Sequence, residues 1–371
     1  MNSGLYVHIP FCKSKCGYCD FNSYSGMEDC IAPYFCALNQ EIKDMSGRYP
    51  LAVDTIYFGG GTPSFVEPKY IIETLENIRG EYSVSDACEI TMECNPGTID
   101  FEGLRQLRNA GINRLSMGLQ SADNRLLKAL GRIHTFEDFG QCFNNARSVG
   151  FDNISVDLMY GLPDQTMADW RDTLKRVADF EPEHISCYSL KVEEGTPFAS
   201  QNLNLPDDDA VADMYEMALK YLATRGYDRY EISNFAKQGK ESRHNLKYWK
   251  CNDFLGFGAG AYSCVQGVRF ANCGDIDEYV DSVDIWSDAR CFEEELSEFD
   301  MMSEFVFLGL RCKNGISETE FEKRFGKKID QVFGSEIKKY TDSGFLLRKE
   351  DRIRFSDKGF FVSNTILADF V

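Results

Sequence analysis

The chain has 371 residues and a formal net charge of −19. That balance argues against nucleic acid as the main partner, because binding to phosphates is driven by Lys and Arg. With 43% hydrophobic residues, the chain can bury one large core and one or two smaller units.

The chain opens on a short apolar strand, Leu5 to Ile9, that ends at Pro10. A tight loop follows with Cys12, Cys16 and Cys19, spaced Cys-x3-Cys-x2-Cys. Three thiolates on one loop can hold three irons of a [4Fe–4S] cube, and the fourth iron then stays open for a ligand. Phe21 stands where a further local cysteine would fall. A zinc site completed by His8 or Asp20 is the alternative on spacing alone, although structural zinc usually pairs two Cys-x2-Cys knuckles.

Apolar spacing predicts a helix over 30–44, then a strand over 53–58 followed by Gly59-Gly60-Gly61-Thr62-Pro63. Further on it predicts helices over 67–79, 101–110, 124–130, 135–149 and 166–179. Strands are expected over 88–92, 113–117, 153–158 and 184–190. Strand and helix alternate about six times, which demands parallel strands with helical crossovers. Six units are too few for a full eight-unit barrel. The expected fold class is α/β, an incomplete (β/α)6 barrel, with an open doubly wound sheet as the alternative. A long helix is predicted over 207–225, and short strands at best over 227–275. From 293 onward the chain reads as mainly helical with a strand at 352–355, resembling a winged-helix module.

Functional residues of parallel α/β folds gather at the C-terminal strand ends. Every polar motif here falls there: the glycine run, Glu93-Cys-Asn95-Pro96, Ser116-Met-Gly118-Leu-Gln120, and Asp157-Leu-Met-Tyr160-Gly161. Glu93, Gln120 or Asp157 can pair with an ammonium or with ribose hydroxyls, and Arg132 can hold a carboxylate bidentately. Gly60 and Gly61 let backbone groups approach a ligand. Taken singly, each is more often an ordinary loop residue.

Four histidines are present. His134 reads as a helix cap and His184 as the start of a strand. His244 lies in Arg243-His244-Asn245-Leu-Lys-Tyr248-Trp249, where imidazole could ligate haem iron and aromatics could stack on a porphyrin. On composition alone, a hydrogen-bonded loop histidine outweighs that role. Gly256-Phe-Gly258-Ala-Gly260 does not open a helix, so close packing is expected there rather than a dinucleotide site.

The N-terminus, Met1-Asn-Ser-Gly, has neither the basic region nor the apolar region of a secretory signal. The eleven cysteines outside the loop therefore read as buried free thiols in a reducing cytoplasm.

These motifs together resemble the HemN/HemW family of radical S-adenosylmethionine (SAM) proteins. Tyr230-Glu-Ile-Ser-Asn-Phe-Ala236 and His244-Asn245-x2-Tyr248-Trp249 are similar to the HemW branch. Phe21 fits that branch, because coproporphyrinogen III dehydrogenases carry a further cysteine there. Tyr262 departs from it, because relatives usually have His at that place. The resemblance implies a [4Fe–4S] cluster on Cys12, Cys16 and Cys19. It also implies SAM held by Tyr6, Tyr18, Gly60, Gly61, Thr62, Glu93, Gln120, Arg132 and Asp157, with haem as cargo and His244 as its candidate ligand. The implied layout is a radical SAM partial barrel over 1–200, an extension carrying the His-Asn-x2-Tyr-Trp motif over 201–290, and a C-terminal helical unit over 291–371. The implied role is haem delivery to haem proteins, with residual, oxidoreductase-like SAM cleavage. Implied partners are a respiratory, membrane-associated haem acceptor, an electron donor such as flavodoxin or ferredoxin, and a second copy of the chain. The alternatives are a coproporphyrinogen III decarboxylase, a haem-opening enzyme and a C-type radical SAM methyltransferase.

Overall fold

The computed structural model describes residues 2–371. Six parallel strands form its centre: Ser3–Ile9 (β1), Ala52–Gly60 (β2), Ser83–Cys94 (β3), Arg114–Gln120 (β4), Ile154–Tyr160 (β5) and His184–Ser189 (β6). They pair in sequence order, each with the next. Helices Ile31–Arg48 (α1), Pro68–Glu81 (α2), Phe101–Ala110 (α3), Asn124–Ala129 (α4), Phe136–Ser148 (α5) and Met167–Ala178 (α6) supply the crossovers. β1 and β6 do not pair with each other, so the barrel is incomplete.

Local chemistry explains the helix ends. Thr135 and Thr166 each start a helix with a reciprocal capping box, to Asp138 and Asp169, which satisfies two orphan backbone donors per helix. Thr135 therefore caps α5, and His134 is not the cap that the sequence suggested. Asp100 caps α3, and Gly111 closes it in the left-handed conformation.

The segment expected to hold short strands at best extends the sheet at both edges. Phe254–Phe257 lies parallel to β1, two antiparallel strands, Tyr262–Val265 and Val268–Asn272, follow outward, and Arg290–Glu295, from beyond that segment, completes the edge. At the far edge Asn234–Ala236 runs antiparallel to β6. One apolar core runs from Leu5 to Ala289. Gly256 and Gly258 are where close packing is needed. A Cβ on Gly258 would lie 2.4 Å from the Tyr34 hydroxyl and 2.7 Å from the His8 carbonyl oxygen, and its φ is +97°. The His244 helix, Arg243–Trp249 (α8, after Asp208–Thr224, α7), instead crosses Gly4, where an added Cβ would meet the His244 ring at 3.2 Å.

A second apolar core joins Met302 through Phe370. There the order is helix Glu298–Gly309, strand Ile316–Ser317, helices Glu318–Phe325 and Ile329–Asp342, and a hairpin Leu346–Lys349 with Arg352–Phe355. This is the winged-helix order expected from the sequence. No helix among the described residues is long and apolar enough to cross a membrane. All fourteen cysteines are free; most are buried or partly so, but Cys36 and Cys291 are exposed, against the expectation of buried thiols.

Candidate functional site: a cysteine loop over a polar barrel lumen

Strand alternation sets the lumen. In Arg114-Leu-Ser116-Met-Gly118-Leu-Gln120, Leu115, Met117 and Leu119 are fully buried in the core, while Arg114, Ser116, Gly118 and Gln120 line a cavity of about 370 Å³. Tyr57 and Glu93 do the same on β2 and β3, Asp157 and Met159 on β5, and His184, Ser186 and Tyr188 on β6. The cavity opens at the C-terminal strand ends, where Cys12, Cys16, Tyr18 and Cys19 form its rim with Lys13, Lys15 and Phe21. A volume of that order suits a small-molecule or cofactor site.

Pairing continues beyond the strand ends and fixes the loop. Gly61 N–H donates to Ile9 O at 2.8 Å, and Thr62 N–H to Phe11 O at 2.9 Å. Gly17 N–H donates to Leu130 O at 3.2 Å, and Phe198 N–H to Gly17 O at 2.9 Å. Asn22, just past the loop, donates to the carbonyls of Ala259 (3.1 Å) and Gly274 (2.9 Å). The loop is thus anchored to four separate stretches of chain.

A polar relay joins three strand ends to the cysteines. Arg132 Nη2 donates to Asn95 Oδ1 and to Gly118 O, each at 2.6 Å. Asn95 Nδ2 donates to Thr62 Oγ1 at 2.9 Å. The Thr62 hydroxyl proton is then free for Cys12 Sγ at 3.3 Å. Arg132 Nη1 points at Cys16 Sγ at 3.6 Å, and Ser23 Oγ stands 3.9 Å from Cys19 Sγ. Each sulfur therefore has its own polar neighbour, the arrangement that thiolate ligands of a cluster need. Burial pushes the Cys12 and Cys19 thiols up from their ordinary range, a penalty that metal coordination removes. His8 does not suit a zinc site. Its Nδ1 accepts from the Tyr6 hydroxyl at 2.9 Å and its Nε2 donates to Asn22 O at 2.8 Å.

Four carboxylates line the cavity, and two of them, Glu93 and Asp157, lie on its strands. Glu93 accepts from the Tyr57 hydroxyl (2.9 Å) and Gly60 N–H (3.1 Å), and burial raises its pKa to about 7. Asp157 accepts from Ser186 at 2.6 Å and Ser116 at 2.9 Å, with its pKa also raised by burial. A cation placed between them would favour both ionised forms.

Of the residues named from the sequence, Cys12, Cys16, Cys19, Tyr18, Gly60, Gly61, Thr62, Glu93, Gln120, Arg132 and Asp157 come together on this one cavity. Tyr6 is not among those lining it; its ring stacks on Tyr57, which is. His244 lies elsewhere and is buried, 1% exposed. Its Nδ1 bonds Thr55 Oγ1 at 3.0 Å and its Nε2 bonds the Tyr248 hydroxyl at 2.8 Å. The commoner role on composition, a hydrogen-bonded histidine, is what this fold contains, on a helix rather than a loop. Asn245, next to it, closes the base of the lumen. Sequence reading missed Tyr57, Asn95 as a relay, Arg114, His184 and Asn245. The period-2 polar face of β4 begins at Arg114, so that residue was legible in principle.

Three cysteines over the open end of a partial parallel barrel, wired to its strand ends, define a radical SAM protein. The family model described as the radical SAM superfamily matches residues 6–177, and the HemN C-terminal domain matches residues 296–362. The chain is 36% identical to the heme chaperone HemW of Bacillus subtilis over 372 residues, covering 99% of this chain and 98% of that protein. It is 35% identical to the heme chaperone HemW of Lactococcus lactis, covering 100% and 97%. Among solved structures, the coproporphyrinogen III oxidase HemN from Escherichia coli matches with a TM-score of 0.88 at 25% identity, covering 100% of this chain and 90% of that one. The chain belongs to the HemW family of radical SAM proteins. A [4Fe–4S] cluster and SAM are the cofactors of that build.

Proposed function

We propose that this protein is a haem chaperone that uses a radical SAM scaffold and delivers haem to an acceptor protein. The observation that carries this reading is end-to-end similarity to two proteins named as heme chaperones. In this reading Cys12, Cys16 and Cys19 would hold the cluster and leave one position open for SAM. Arg132 and the Gly60–Thr62 backbone suit the SAM carboxylate, while Glu93 and Asp157 suit its ammonium and ribose hydroxyls. When bound, the cluster supplies an electron to the sulfonium. The chain's own part is to orient SAM at the strand ends and to exclude water from the lumen.

His244 enters this reading under a structural condition. Both of its ring nitrogens are engaged inside the fold, so haem ligation by His244 requires α8 to leave the barrel base. Anaerobic titration of the cluster-loaded protein with haem tests the proposal. The expected result is one haem per chain with a defined Soret spectrum. Absence of stoichiometric binding refutes the chaperone reading, and an unchanged spectrum in His244→Ala removes His244 as ligand.

A further inference from the structure

Arg114 has no place in the SAM site, yet it is one of the largest fully buried side chains in the protein, 2% exposed. It begins β4, while Gln120 ends that strand at the mouth. Six residues of strand place its Cα about 20 Å below the mouth. Its Nε has no hydrogen-bond partner. Its register partner on β3, Thr91, is fully buried and leaves its hydroxyl equally unpartnered. Asp157 accepts from Ser116, Ser186 and Ser155 and feels the Arg114 charge only through space. Buried cations are normally paired, because desolvating one alone costs several kcal/mol. Here Arg114 instead lines the lumen, as do Ser116, His184 and Asn245.

We propose that the base of the lumen is a seat for a carboxylate, held by Arg114 beneath the residues assigned to SAM. A planar carboxylate can accept two parallel N–H bonds from one guanidinium. Glu93 and Asp157 higher in the same lumen repel a doubly charged anion, so a monocarboxylate is favoured over a phosphate. The ligand class is a small organic acid, or the carboxylate arm of a longer molecule that enters through the mouth. The seat does not depend on haem carriage.

The test is thermal denaturation of cluster-loaded protein in sodium acetate, sodium chloride and sodium phosphate at matched ionic strength. Acetate is expected to raise the midpoint above chloride, half-saturating at roughly millimolar concentration, as befits a four-atom ligand, with phosphate giving a smaller rise. Arg114→Met keeps the length and loses the charge. It is expected to abolish the acetate response. Equal acetate responses in parent and variant, or none in the parent, overturn the proposal. Persistence of the response with saturating SAM supports a separate seat, whereas competition overturns it by placing acetate in SAM's own carboxylate position. Should Arg114→Met not fold, line broadening of ¹³C-formate on the parent decides: reversal by acetate but not chloride supports the seat, and no broadening refutes it.

Discussion

Glu41 gives the sharpest test of how the cluster loop is held. It lies on α1, fully enclosed, and accepts three hydrogen bonds: Tyr279 hydroxyl at 2.6 Å, Asn272 Nδ2 at 2.6 Å and Gly258 N–H at 2.9 Å. Gly258 begins the turn whose Ala259 carbonyl receives Asn22 from the cluster loop. Glu41→Ala strands these donors. Each buried unpaired group costs about 1–3 kcal/mol, and Asn272 keeps one bond to Gly258 O. The expected loss is about 3–5 kcal/mol, a large part of a typical folding stability. Urea denaturation measures it, and faster amide exchange over 255–262 localises it. A loss below about 1 kcal/mol would refute the reasoning.

The same residue has a pH signature. Burial outweighs the three donors and raises its pKa to about 7, against an ordinary 4.5. Between those values the folded chain keeps a proton that the unfolded chain has released. Stability from this group therefore falls as pH rises from about 4.5 to about 7, by roughly 3 kcal/mol in all. Glu41→Gln removes the titration, so the difference between the parent and variant stability profiles should slope across that window and flatten above it.

His244 has the opposite sign: burial lowers its pKa to about 3, so its stability contribution is lost as pH falls from about 6.5 toward 3. His244→Ala leaves Thr55 and Tyr248 without their partner, and a loss of about 2–4 kcal/mol is expected by urea denaturation. Gly61→Ala puts a Cβ 2.9–3.0 Å from the backbone of Ile9, Pro10 and Phe11. It should displace the Thr62–Cys12 contact, and iron content after reconstitution should fall by more than half while circular dichroism stays unchanged. Asn95→Leu breaks the relay between Arg132 and Thr62 and should weaken SAM binding about tenfold by calorimetry, the equivalent of about 1.4 kcal/mol for one charge-assisted bond.

What the sequence determined by itself was local and periodic. The Cys-x3-Cys-x2-Cys spacing, the six strand–helix repeats and the polar motif after each strand are properties of neighbouring residues. They were enough for the barrel, for its open edge and for the cysteine rim of the site. Tertiary structure decided everything that depends on which side of a wall a residue faces. Arg114 and Leu115 are adjacent, yet one lines the lumen and the other the core, because successive strand side chains point to opposite faces. For His244, composition favoured a hydrogen-bonded histidine and only the family resemblance suggested a haem ligand; the sequence did not say which partners it would find. Thr55, 189 positions away, holds one ring nitrogen, while Tyr248, one helical turn on, holds the other, so that His244 is a buried pin. The segment over 227–275 lacks strong strand periodicity, and its strands are legible only through the sheet edges they complete. Burial and pairing are long-range facts, and the order of residues along a chain does not contain them until the sheet has formed.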